Sequence, residues 1–464
     1  MTTHSYDILI VGSGPAGQHA AWQAARMGKK AAIIERKPSL GGAGLQTGTI
    51  PSKALREAAY LASRASHHGM RDDYAPAASR HGLLAEAVRR KENVIAQQES
   101  VIVKRLLSSG VALIPGEASF VDTHTLEIKD SNGATSRLSA DVIVLATGSR
   151  PRRPDDIPFD KKSVLDSTSI LKLKRLPQSL TVLGGGVIAC EFVSIFAALG
   201  VAVTVVNSHH QLLSYLSNDV VSVLEESFEN MGVQLLMNER ASSVHHCDDG
   251  QVCTTLASGR ELTSSALLYA LGRTPNLESL KPEAAGLELD HGWIQVNRHF
   301  QSSQPHIYAV GDLIGHPALA STGMEQGRTA ALHAFGESGQ AMPEHLPMAI
   351  YAIPEISWVG QTEKEAQQAS RDYVVGRSYY KETARGQIIG DSNGLVKLLV
   401  DRQTHQLIGA HIAGEQASEL IHTGQLLMRF GGTVEELASN VFNYPTLAEC
   451  YKLAALDCLT KLRC

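Results

Sequence analysis

Two short apolar runs in this chain each break into a glycine-rich turn, and that repeat constrains the fold more than any other feature. The first run, Tyr6-Asp-Ile-Leu-Ile-Val11, ends at Gly12-Ser-Gly-Pro-Ala-Gly17. A helical stretch follows to about Gly28, and a second run, Ala31 to Ile34, ends at Glu35. The order is strand, glycine turn, helix, strand, acid. In such a unit Gly12 permits the tight turn, Gly14 lets a pyrophosphate approach the backbone, and Gly17 lets helix and strand pack closely. The helix N-terminus offers amide hydrogens and a partial positive charge to phosphates. Glu35 stands where a carboxylate can accept a ribose hydroxyl.

The pattern returns as a strand Ser179 to Leu183, the turn Gly184-Gly-Gly186-Val-Ile-Ala189, a helix to about Leu199, and a strand Val201 to Val206. Two such units imply two bound dinucleotides, or one dinucleotide and a decayed copy. The second unit has Ala189 for its third glycine, and its second strand ends at Asn207 rather than at an acid. A carboxylate there would bond the ribose diol of NAD and repel the 2′-phosphate of NADP. With Asn207 followed by Ser208, His209 and His210, that repulsion is gone and NADP(H) becomes acceptable. An imidazolium at His209 or His210 would add charge to a phosphate contact.

Between the units, a strand Val142 to Ala146 leads into Thr147-Gly148-Ser-Arg-Pro, and a matching strand Ala266 to Ala270 leads into Leu271-Gly272-Arg273-Thr-Pro-Asn. Each reads as a chain crossing between nucleotide domains. Later, Ile307-Tyr-Ala-Val-Gly-Asp312 places a carboxylate at the end of another strand, suited to a polyol hydroxyl. The fold class expected is therefore α/β, with two Rossmann-like dinucleotide-binding domains and a C-terminal α+β domain.

The chain has 464 residues, 43% hydrophobic and 19% charged, which suits a large soluble enzyme of about three domains. A net charge of -5 argues against an extended nucleic-acid surface. No apolar run has the roughly 18 residues a membrane span needs, and no signal peptide is visible, so a cytoplasmic location is expected. Six cysteines without framework spacing point the same way, to a reducing compartment.

These motifs, in this order, resemble the two-dinucleotide-binding flavoproteins of the glutathione reductase and dihydrolipoamide dehydrogenase family. The resemblance covers the whole chain, including Tyr351-Ala-Ile-Pro-Glu-Ile-Ser-Trp-Val-Gly360 and Asn443-Tyr-Pro-Thr-Leu-Ala-Glu449. Within the family, GTIPSKALR, Val187, Asn207 and the FNYPT stretch are similar to the soluble pyridine nucleotide transhydrogenase branch. The segment 41 to 53 reads GGAGLQTGTIPSK, with Gly44 and Thr49 where disulfide reductases of the family carry their two redox cysteines. The transhydrogenase branch keeps the first of these. Tyr444 stands where the reductases carry a histidine that protonates the thiolate, while Glu449 is retained. A phenol of pKa about 10 is a poor general base near neutral pH. Both cysteines and the histidine are missing together, which is a coherent removal of thiol chemistry.

The resemblance implies FAD at the first glycine unit and NADP(H) or NAD(H) at the second. It implies an FAD-binding domain of residues 1–150 and 275–343, an NAD(P)-binding domain of 151–274, and an interface domain of 344–464 that forms a homodimer or higher homo-oligomer. Lys53 would lie near the flavin's reactive nitrogen, paired with Glu191 on the second unit's helix. A fixed ammonium there would stabilise negative charge on the reduced ring. Val187 replaces a tyrosine that covers the flavin in glutathione reductase, and Asn443, Tyr444 and Pro445 would approach the partner's flavin. With a single nicotinamide site, hydride transfer from NADPH to NAD would be ping-pong through FAD, without a disulfide relay. Competing readings are an NAD(P)H-dependent reductase of quinones or other small acceptors, and a slow nucleotide-binding or redox-sensing protein.

Other features read as structural. His245-His-Cys-Asp-Asp249 precedes Gly250 and is expected at a hairpin turn, where adjacent residues face apart and chelate poorly, so no metal is expected. Cys190 is expected to be a packing residue, and Cys458 and Cys464 have no clear electron donor. His67 and His68 are expected at a solvated helix end, and residues 71–83 in a loop between two long helices.

Overall fold

The computed structural model describes residues 4–67, 80–337 and 342–463. His68, most of the expected loop at 71–83, and Cys464 lie outside the described residues. The chain forms two compact units. One comprises Met1–Ala54, Glu86–Arg152 and Gly272–Pro343; the other comprises Leu55–Ala85, Arg153–Leu271 and Glu344–Cys464. The α/β class is as expected, and both glycine motifs sit between a strand and a helix.

In the first unit, strand His4–Val11 lies in the middle of a seven-stranded sheet. It is parallel to Ala31–Glu35 on one side and to Thr135–Leu145 on the other. Ile8, Leu9 and Ile10 have no exposed surface, as expected of a parallel strand covered on both faces. The C-terminal end of Thr135–Leu145 pairs in parallel with Ile307–Ala309, while its N-terminal end pairs antiparallel with Thr125–Lys129. Helix Pro15–Arg26 buries only small residues: Ala16, Gly17, Ala20, Ala21 and Ala24. Small residues let helix Ala320–Ala334 approach closely, since a Cβ on Gly327 would stand 2.1 Å from the Ala16 carbonyl oxygen. That crossing fixes the direction in which the helix N-terminus points.

In the second unit, a parallel sheet runs in the order Gln234–Met237, Ala202–Asn207, Ser179–Leu183, Ala266–Tyr269, Val164–Asp166. Helix Val187–Ala198 is buried from Ala189 to Ala197, and its apolar composition on every face matches a core helix. An antiparallel meander of Ala241–His246, Val252–Leu256 and Glu261–Ser264 follows. The C-terminal residues add a five-stranded antiparallel sheet in which Leu395–Asp401 and Leu407–Gly414 pair, backed by helices Ala417–Arg429 and Glu449–Leu462. Lys397 and His411 lie opposite each other on these strands, both buried. Lys397 Nζ reaches Ser217 Oγ at 3.1 Å, Asp219 Oδ1 at 2.7 Å and also Glu363. A buried ammonium is tolerable only with such partners.

Candidate functional site

The first glycine turn has the geometry its sequence requires. Gly12 has φ 107° and donates its N–H to the Ile34 carbonyl at 2.8 Å. A Cβ at Gly12 would stand 2.4 Å from Ala146 O, and one at Gly17 would stand 2.0 Å from Gly12 O. At Gly14, by contrast, a Cβ would meet nothing within 4 Å. Gly14 also caps helix Pro15–Arg26 with no side-chain acceptor, so no side chain caps the helix's N-terminal amides. These are the features a bound pyrophosphate needs, and the turn fits the phosphates of a dinucleotide.

Glu35 serves this turn directly. Its Oε2 accepts from the Ser13 amide at 3.0 Å and the Ser13 hydroxyl at 2.7 Å, and its Oε1 accepts from the Lys37 amide at 2.9 Å. Ser13 was not anticipated from sequence, because nothing in a GxGxxG pattern reports on its variable positions. Its hydroxyl also accepts from the Gly41 amide at 3.1 Å, which ties the 41–53 segment to the turn.

That segment folds as a short helix, Gly42–Gln46, and the start of helix Thr49–His67. It presses on the glycine turn: a Cβ on Gly42 would stand 2.8 Å from Gly14 Cα, and one on Gly44 would stand 2.8 Å from Pro15 Cγ. A cysteine at 44 would therefore require Pro15 to shift. Thr49 is exposed, and Lys53 is half-buried with Nζ 3.4 Å from Ser52 Oγ.

The two crossing segments pair with each other, Arg273 to Pro275 antiparallel to Ser149 to Pro151. Thr147 Oγ1 donates to Asn276 O at 2.8 Å, and Asn276 Nδ2 returns a bond to Thr147 O at 2.8 Å. Gly148 and Gly272 both have positive φ, 68° and 101°. Arg273 Nε donates to Ser149 Oγ at 2.7 Å, and Ser149 Oγ donates to Asp312 Oδ2 at 2.7 Å. Arg273, Ser149 and Asp312 thus form one chain of contacts, with Arg273 Nε 3.7 Å from Asp312. Ser149 and Asn276 were missed in the sequence. The mirrored spacing of the two crossing segments was the signal that could have found them.

In the second unit, Gly184 has φ 119° and donates to Val206 O at 2.9 Å. Gly186 caps helix Val187–Ala198, again with no side-chain acceptor, and a Cβ on it would meet nothing within 4 Å. This end fits a second dinucleotide's phosphates. Val187 is half-buried at the first helical position. Asn207 is buried, with Nδ2 donating to Gln211 O at 2.8 Å and to His209 O at 3.3 Å. Its carboxamide therefore shapes the loop that follows and faces the glycine turn. His209 and His210 are exposed on that loop.

Glu191 is buried, and its Oε1 accepts from the backbone N–H of Tyr351 at 3.0 Å. The same segment is held at three further points. Arg56 donates to Ala352 O at 3.2 Å and lies 3.4 Å from Glu355, while Ser227 Oγ donates to Ile353 O at 3.2 Å. Glu355 also accepts from the Ser418 hydroxyl at 2.8 Å. Lys53 belongs to the first unit and Glu191 to the second.

Tyr444 is 73% exposed, and Phe430 and Val441 are exposed as well. Oε2 of Glu449 is buried with no hydrogen-bond partner among the described residues.

The cysteines require a correction. Positions 44 and 49 carry no sulfur, but the chain does contain a paired set, because Cys247 and Cys253 form a disulfide. Sequence spacing missed it because the pair closes across a hairpin, where His245 and Cys253 stand opposite each other. Cys190, Cys450 and Cys458 are free and buried. Burial pushes the Cys450 thiol up to about 11 and the Cys458 thiol up to about 12, so neither is a ready thiolate at neutral pH.

Residues 6–327 match the family model described as pyridine nucleotide-disulphide oxidoreductase, and residues 346–455 match that family's dimerisation domain. The chain is 44% identical to a soluble pyridine nucleotide transhydrogenase of Mycobacterium tuberculosis, covering 99% of this chain and 98% of that protein. It is 41% identical to the protein of the same name from Vibrio atlanticus, with 99% of each covered. Among solved structures, LpdA of Mycobacterium tuberculosis superposes with a TM-score of 0.90 at 32% identity, over 98% of this chain and 99% of that one. Among the described residues, no helix is long and apolar enough to cross a membrane.

Proposed function

Because the chain belongs to the pyridine nucleotide-disulphide oxidoreductase family, we propose that it moves hydride between NADPH and NAD by a ping-pong mechanism, without a thiol relay. The family is FAD-dependent and uses nicotinamide dinucleotides. When bound, the flavin supplies the hydride store that links two half-reactions at one nicotinamide site.

The observation that carries this reading is the 41–53 segment. It keeps the family's frame and its Lys53, yet holds Gly44 against Pro15 and Thr49 at a helix start, with no sulfur at either position. The disulfide the chain does possess belongs to a different segment, the hairpin of Ala241–His246 and Val252–Leu256.

The chain's own groups have separable tasks. Gly12, Gly14 and Gly17 bring the helix amides to the FAD pyrophosphate, with Glu35 bracing the turn through Ser13. Thr147, Gly148, Gly272, Arg273 and Asp312 shape the crossing segments, where Asp312 holds a carboxylate ready for a polyol hydroxyl. Gly184, Gly186 and Val187 receive the nicotinamide dinucleotide, and Asn207 and His209 set the loop that meets its adenosine ribose. Lys53 supplies positive charge for the hydride step, and Glu191 fixes the Tyr351 segment. The FAD-binding part is read as residues 1–150 and 275–343, the NAD(P)-binding part as 151–274, and the interface part as 344–464. Tyr444 then sits on the surface that dimerisation covers.

Initial rates measured with NADPH and a thio analogue of NAD test the mechanism. The ping-pong reading predicts parallel double-reciprocal lines. Intersecting lines would require both nucleotides to be bound together and would contradict it. Turnover with a quinone but none with the NAD analogue would favour an acceptor reductase.

A further inference from the structure

The antiparallel hairpin of the second unit brings together three metal-binding side chains that the proposed reaction does not use. One ligand atom each from His245, Cys247 and Cys253 lies within 4.8 Å of the others. The arrangement follows from strand geometry. His245 and Cys247 are two residues apart and so share a face, while His245 pairs directly with Cys253 on the neighbouring strand. His246 faces the other way, with Nε2 3.8 Å from Asp160 Oδ2, and takes no part.

The frame beneath these ligands is well tied. Cys247 donates its N–H to Gln251 O at 2.9 Å, and Gly250 donates to Cys247 O at 3.0 Å. Asp249 accepts from the Gln251 amide at 3.0 Å. On the far side, Cys253 pairs with Thr263 of the third strand. His245 is exposed and the two sulfurs half-buried, so the site is open on one side.

We propose that the reduced hairpin is a site for one thiophilic divalent ion with the chemistry of Zn2+, held by His245, Cys247 and Cys253. A tetrahedral Zn2+ with Zn–S about 2.3 Å and Zn–N about 2.0–2.1 Å holds its ligand atoms roughly 3.5–4 Å apart. Once the Cys247–Cys253 bond is broken the two sulfurs separate to that spacing by side-chain rotation, and the imidazole, within 4.8 Å of them, moves in. Two thiolates and a neutral imidazole balance the ion's charge, and solvent fills the fourth position. The site is gated by redox state. In the disulfide form neither sulfur is a thiolate. A small dithiol attacks one sulfur of the Cys247–Cys253 bond and leaves as its own cyclic disulfide. Two electrons and two protons pass to the chain, giving two thiols. The ion then displaces the two thiol protons on binding. Hydride transfer between nucleotides does not depend on this site, so the two proposals stand or fall separately.

The test uses the FAD-loaded enzyme, reduced with a dithiol and freed of it under anaerobic conditions, then titrated with Zn2+ against a chromophoric indicator. The wild type should take up one equivalent per chain more than Cys253→Ser, Cys247→Ser or the unreduced protein. His245→Ala should weaken that equivalent by about 100-fold or more. Co2+ in its place should give a thiolate-to-cobalt absorption band that Cys253→Ser abolishes. Wild type alkylated at the reduced hairpin provides the same comparison if a serine variant fails to fold. Equal Zn2+ uptake by the reduced wild type and its alkylated or serine forms, or a Co2+ spectrum without the thiolate band, would overturn the proposal.

Discussion

Asn207 and Gly185 are packed against each other so tightly that a Cβ on Gly185 would stand 2.6 Å from Asn207 Cγ and 2.8 Å from its Nδ2. The residue that ends the second unit's second strand is therefore wedged beneath the glycine turn, with its amide donating to the loop carbonyls of His209 and Gln211. Its identity governs the shape of that loop and, on the proposed reading, the charge facing the nucleotide's ribose 2′ position. Asn207→Asp would replace the donor with a carboxylate aimed at two carbonyl oxygens. We expect a stability loss of about 1–3 kcal/mol, read by chemical denaturation. KM for NADPH should rise about tenfold relative to that for NADH, because the new charge repels the 2′-phosphate. An unchanged KM ratio would sink the assignment of this loop to the 2′ position.

Lys53 is expected to act on rate rather than on binding. Lys53→Met should lower kcat by about 100-fold with little change in KM for NADPH, as loss of a charge that matters only as electrons arrive. A variant that raised KM and kept kcat would instead place Lys53 among the substrate-binding groups.

Lys397 holds the C-terminal sheet to helix Asn218–Asn230 through Asp219, with Glu363 on its other side. Lys397→Met leaves both carboxylates to Arg377, which lies 2.8 Å from Asp219 and 3.5 Å from Glu363. Removing one partner of a buried ion cluster costs about 3–5 kcal/mol, and the partial exposure of Asp219 puts the expectation near the lower figure. Urea denaturation showing a loss under about 1 kcal/mol would mean that the cluster contributes mainly to specificity.

His411 should give the fold an acid sensitivity. Burial pushes its pKa down to about 4, with the Lys397 charge acting in the same direction and the bond to the Gln361 carbonyl, Asp219 and Glu363 opposing it. A histidine held neutral in the fold and free to charge when unfolded stabilises fully above its unfolded pKa of about 6.5. That stability falls away as pH drops from there toward about 4, by roughly 2–3 kcal/mol. His411→Gln should flatten the difference in unfolding free energy between pH 7.5 and pH 5. An identical slope in variant and wild type would assign the acid sensitivity to other groups.

The parts of this molecule legible in its sequence are those where backbone geometry leaves one residue type possible. Gly12, with φ 107° and a carbonyl oxygen 2.4 Å from where a Cβ would be, is such a position, as are Gly17 and Gly184. Side chains whose direction depends on distant partners were not legible. The strand-end position of Glu35 points to a ribose hydroxyl; in the fold its carboxylate binds Ser13, and no local pattern announces that bond. Arg56 and Ser227 hold the Ala352 and Ile353 carbonyls from far away in the sequence. The Cys247–Cys253 pair depended on hairpin register: reading residues 245 to 249 as neighbours along one strand hid the partner on the next.

Whether electrons pass through the flavin alone is tested most directly by anaerobic titration of the FAD-loaded enzyme with NADPH. Complete bleaching of the flavin is expected at one equivalent of NADPH per FAD, with no long-wavelength thiolate-to-flavin band during reduction. Uptake of two equivalents, or the appearance of that band, would show a disulfide working in series with the flavin and would contradict it.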